Sequence, residues 1–82
     1  KTKKELAERL QSTLQNGATL LSFDYNERCF GNIITEIQWK GGKHTFHTDR
    51  GEIWHNGKLL RNTETDSQDT FLLLLQTIQE TL

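Results

Sequence analysis

Residues 33–49 read Ile-Ile-Thr-Glu-Ile-Gln-Trp-Lys-Gly-Gly-Lys-His-Thr-Phe-His-Thr-Asp, and the fold is decided there. Ile33, Thr35, Ile37 and Trp39 alternate with Ile34, Glu36, Gln38 and Lys40, the two-residue period of a half-buried strand. Gly41-Gly42 follows, a hairpin signal because both positions accept positive φ without steric cost. A loop of those two residues sets Trp39 against His44, Ile37 against Phe46, Thr35 against Thr48, Glu36 against His47 and Gln38 against Thr45. It also sets Lys40 against Lys43, a like-charge discord at the hairpin end.

Outward from this hairpin the same period continues. The strand over about 43–49 ends at Arg50-Gly51, whose two-residue loop puts His47 opposite Trp54. Asn56-Gly57 is the strongest short hairpin signal in the chain and pairs Ile53 with Leu60, Trp54 with Leu59, and Glu52 with Arg61. Upstream, residues 18–25 read as a strand and Asn26-Glu27-Arg28 as the turn after it.

The two ends carry the helical period. Leu6, Leu10 and Leu14 form a narrow stripe that predicts a helix over about 3–15, with Thr2 and Glu5 as a capping box and Asn16-Gly17 as the stop. Phe71, Leu74, Leu75, Ile78 and Leu82 mark one broad face of a last helix, capped by Asp66 or Ser67. Leu72 flanks that face, and Leu73 is expected on the exposed side with Gln76 and Glu80. The order is helix, an antiparallel meander of four or five strands, helix: an α+β two-layer sandwich with both helices on one sheet face.

At 82 residues the chain is read as a single domain, 1–82. Net charge −1, with 33% hydrophobic and 26% charged residues, excludes a strongly basic nucleic-acid coat and a fully disordered chain. The longest apolar run, Phe71–Leu75, is far too short to span a bilayer, and no charged region precedes an apolar secretion core. Cys29 is the only cysteine, which excludes an internal disulfide and fits a reducing, cytoplasmic setting.

These registers define two sheet faces. Ile33, Ile37, Trp39, Phe46, Ile53 and Leu60 form the seat for the helices. Glu36, Gln38, Thr45, His47, Glu52, Trp54 and Leu59 form the other face, with nothing left in the chain to cover it. Trp54, His47, Glu36, Gln38 and Leu59 are therefore the candidate partner-binding residues, since a large rigid ring at an exposed position marks interface centres.

Other chemistry is thinly represented. His44 and His55 fall diagonally on one face, but His47 lies on the other and no spacing suits a zinc site, so no metal or cofactor is expected. Cys29 has the parity of the core side, and neither a nucleophile motif nor a phosphate-binding loop is present, so no enzyme is expected. Lys40, Lys43 and Lys58, from two turns at one end of the sheet, are the candidate phosphate contacts. The helix–strands–helix order resembles that of the double-stranded RNA-binding domain, which implies shape-based RNA contact with basic residues at the start of the second helix. Asp66, Ser67, Gln68 and Asp69 occupy those positions and repel phosphate, so the resemblance stops at element order. The reading that results is a small non-catalytic intracellular binding module of the adaptor, inhibitor or immunity type. It would act on a protein partner or its own copy through an open sheet face or edge, with nucleic-acid contact the alternative and no membrane role.

Overall fold

The computed structural model describes residues 3–14, 17–26, 32–49, 51–62 and 70–82. The roles expected for Thr2, Asn16, Glu27, Arg28, Cys29, Arg50 and residues 63–69 lie outside them. Helix α1 (Lys3–Thr13) leads into strands β1 (Thr19–Asn26), β2 (Asn32–Trp39), β3 (Gly42–Asp49), β4 (Glu52–His55) and β5 (Lys58–Asn62), and helix α2 (Thr70–Thr81) follows. The strands form one antiparallel sheet in sequence order, so the α+β meander holds as read. Among the described residues no helix is long and apolar enough to cross a membrane.

The core lies on one side of the sheet. Leu6 and Leu10 of α1 and Phe71, Leu74, Leu75 and Ile78 of α2 pack with Ile33, Ile37, Phe46 and Ile53. Thr35 and Thr48 are buried among them, and both hydroxyls are satisfied. Thr35 Oγ1 donates to the Ser22 carbonyl at 2.7 Å, and Thr48 Oγ1 accepts from the Ile33 amide at 3.0 Å. Arg9 of α1 places its guanidinium 5.4 Å from the Phe71 ring centre, tying the helices together.

The central hairpin corrects the expected register by two residues. Its turn is Lys40-Gly41, both at positive φ (50° and 76°), and Gly42 already belongs to β3 opposite Trp39. Thr35 therefore faces Phe46, Ile37 faces His44, Gln38 faces Lys43, Glu36 faces Thr45 and Ile34 faces His47. The Lys40–Lys43 discord disappears in this arrangement. Lys40 sits in the turn with its ammonium 4.5 Å from the Trp39 ring centre, and Lys43 Nζ reaches Glu36 at 3.0 Å. Because the shift is even, every side chain keeps its expected face.

A second correction falls on β5. Trp54 faces Leu59 and His47 faces Trp54, as read from the turns. A bulge then sets Ile53 against Arg61 and Glu52 against Asn62. Leu60 is the extra residue and lies 36% exposed instead of in the core. The same bulge sends Arg61 to Glu80 of α2 instead of Glu52, which fastens β5 under the helix. That tie also explains α2. The side bearing Thr77 and Glu80 turns toward the sheet, so Leu73 packs against the core and Leu72 is the exposed leucine, at 48%.

A bulge also interrupts β1, where Leu20 faces Ile37 and Ser22 faces Glu36, leaving Leu21 as the extra, exposed residue. Both outer strands are thus kinked by one supernumerary leucine.

Two substitutions separate the observed register from the expected one. Gly41→Ala places a side chain at φ 76° and should lower stability by about 1 kcal/mol or more. Gly42→Ala meets nothing closer than the Trp39 carbonyl oxygen at 3.7 Å and should be close to neutral by urea denaturation. In the core, Leu74→Ala should cost about 2–5 kcal/mol, against less than about 0.5 kcal/mol for Leu72→Ala in the same assay.

Candidate functional site

On the face away from the helices, one line of side chains crosses the sheet at right angles to the strands. Ile34 of β2 faces His47 of β3, His47 faces Trp54 of β4, and Trp54 faces Leu59 of β5. The imidazole and indole stack with planes 4° apart and centres 5.7 Å apart. Ile34 is 55% exposed and Leu59 42%, at the two ends of the line, while His47 and Trp54 between them are half-buried. Among the described residues no helix covers this row.

Of the residues expected here, the structure brings Trp54, His47 and Leu59 together. Glu36 and Gln38 share the face but lie off the row. Glu36 is one step along, where it accepts from Lys43 Nζ and, at 3.0 Å, from Ser22 Oγ. These hydrogen bonds and the lysine charge hold its carboxyl below the usual carboxylate range. Gln38 is opposite Lys43, near the turn. Ile34 is the member that the sequence reading missed. Its parity with Glu36 was visible, but the expected register placed Glu36, not Ile34, against His47.

Acidic groups border the row. Asp24 faces Ile34 at its β1 end and pairs with Lys3 Nζ at 3.3 Å. Along one flank Asp49 faces Glu52 directly, a like-charge cross-strand pair, and Asn32 Nδ2 donates to Asp49 Oδ1 at 3.3 Å. Among the described residues neither Asp49 nor Glu52 has a cationic partner.

The lysines proposed as phosphate contacts are partly engaged elsewhere. Lys43 is bound to Glu36, and Lys40 lies over Trp39. Lys58 is exposed beside the Asn56-Gly57 turn.

The remaining histidines form a separate cluster on the helix side, near the turns. His44 Nδ1 and His55 Nε2 are 2.9 Å apart, so one ring donates to the other. His55 also stacks on Phe46 at 4.6 Å, and Trp39 meets His44 edge-on at 5.7 Å. Asn56 fixes the far side: its amide donates to the Thr45 carbonyl, and its side-chain oxygen accepts from the Thr45 amide, both at 2.8 Å. Two imidazoles are too few for a zinc site, and the described residues hold no group of three or more metal-binding side chains.

Compared with known proteins, the chain matches no family model, no curated protein and no solved structure.

Burial, and then the neighbouring His44, hold His55 below the ordinary histidine value of 6.5. On acidification the unfolded chain therefore takes up this proton before the folded one does. Stability is full above 6.5 and declines as pH falls through the lowered folded value. The urea midpoint should drop between about pH 7.5 and about pH 5.5, and His55→Gln should lose part of that drop. An equal drop in both proteins rejects the histidine pair as its source.

Proposed function

We propose that this chain is a small, non-catalytic, intracellular binding module that docks a protein partner on the open sheet face through Trp54, His47, Ile34 and Leu59. The observation that carries the reading is the continuous Ile34–His47–Trp54–Leu59 row, an apolar and aromatic line across four strands. A stacked indole at the centre of such a line buries a large rigid area at low entropic cost when a partner covers it.

The face is a better docking surface than either edge. Both outer strands carry a bulge, which breaks the regular row of free backbone groups that strand addition requires. Nucleic-acid contact through Lys40, Lys43 and Lys58 has less support, because Lys43 is neutralised by Glu36 and Lys40 is held over Trp39. The acid–base pair that an enzymatic reading would use is not formed: the Glu36 carboxylate faces Thr45 and not His47.

The test is capture of partners from the native host with the wild-type chain and with Trp54→Ala, alongside circular dichroism of both. Trp54→Ala should keep the fold and reduce recovery of the specific partner by about tenfold or more, as for an interface-centre aromatic. If the variant unfolds, Leu59→Ser, at an exposed position, is the substitute. A folded variant that captures its partner undiminished sinks the proposal.

A further inference from the structure

The charges around the row restrict what can cover it. Four carboxylates, Asp24, Glu36, Asp49 and Glu52, lie on the open face. Lys3 and Lys43 answer only Asp24 and Glu36. The nearest guanidinium on β5, that of Arg61, is drawn through the bulge to Glu80 on the helix side. Among the described residues no cation answers the Asp49–Glu52 flank, where two like charges are opposed across adjacent strands. A basic side chain laid along that flank relieves the repulsion, whereas phosphate or another acidic surface increases it. A second copy of this chain brings the same anionic border and is disfavoured for that reason.

The shape of the row narrows the choice further. Adjacent strands lie about 4.8 Å apart, so four side chains on successive strands span about 14 Å. A helix presents one side chain per turn along a stripe at a pitch of about 5.4 Å. Three intervals differ by about 2 Å in total, which side-chain rotamers absorb. An extended strand places same-side residues about 6.8 Å apart, a poorer match to the row.

We infer that the occupant of the open face is a basic amphipathic helix of a partner protein. Its apolar stripe lies on Ile34, His47, Trp54 and Leu59, and its Lys or Arg side chains lie against Asp49 and Glu52. This rests on the docking function proposed above and adds the chemistry of the partner. The helix crosses the strands, covers the uncovered layer and turns the two-layer sandwich into a three-layer one.

Two synthetic peptides of about 14 residues provide the test, each with one leucine per turn on one stripe. One carries Lys and Arg beside the stripe and its twin carries Glu. Each is titrated into the isotope-labelled full chain and followed by the amide signals of Ile34, His47 and Leu59 and the Trp54 indole. The basic peptide should move these signals, and its affinity should fall about fivefold or more when salt rises from about 0.05 M to about 0.5 M. The Asp49→Asn, Glu52→Gln double variant, which removes repulsion and should fold at least as well, should bind it about tenfold more weakly. The acidic twin should not bind.

Equal binding of both peptides through the row overturns the inference while leaving a docking face. The inference also fails if the basic peptide gives no shifts, or if its shifts fall on α1 and α2. Shifts on the row that depend on protein concentration alone identify a second copy as the occupant and overturn it as well. Failure of the docking function reads out separately, as undiminished capture of the native partner by Trp54→Ala.

Discussion

The turn at Lys40-Gly41 holds two successive residues in the left-handed region, and the β2–β3 ladder that starts from it sets everything on both sides of the sheet. Lysine is an uncommon residue at φ 50°. Its ammonium is held over the Trp39 ring, and Lys43, which the same two-residue loop placed one residue later would have set against it, is free to reach Glu36. From this ladder Ile33, Thr35 and Ile37 meet the helices together with Phe46 and Thr48. The same ladder puts Ile34 beside His47, and the short β3–β4 turn then adds Trp54.

The two faces carry their aromatic groups in different ways. On the helix side Trp39, His44, His55 and Phe46 form a chain of ring contacts that fills the turn end of the core. Burial there makes His55 resist protonation. On the open side His47 and Trp54 stack with one another and have leucine and isoleucine as neighbours. Alternation along β3 accounts for the division: His44 and Phe46 point one way and His47 the other, so nearby histidines serve different layers.

Strand parity carried most of what was legible in the sequence. Alternation alone places Ile33, Ile37, Phe46 and Ile53 on the core face, and they are buried there because the observed register differs from the expected one by two residues and not one. The sequence did contain a warning, since the expected register opposed Lys40 and Lys43. The bulge at Leu60 was not legible, because the Asn56-Gly57 turn predicts an unbroken ladder and Arg61 finds its partner, Glu80, more than a dozen residues downstream. Leu73, expected on the exposed side, likewise packs against the core instead. A helical period gives the width of an apolar face, but only the neighbouring strand fixes which border of that face is buried.

The supernumerary leucines of the outer strands have a consequence for how copies of the chain behave at high concentration. A meander ends in two unpaired strands, and a flat, regular end strand is a template on which further chains stack at the repeat of about 4.8 Å found in fibrils. Leu21 and Leu60 each force a local twist and a missed pairing in the strand that would act as that template. Two exposed leucines, which look like a liability for solubility, thus sit where the bulges interrupt the regularity that such stacking requires.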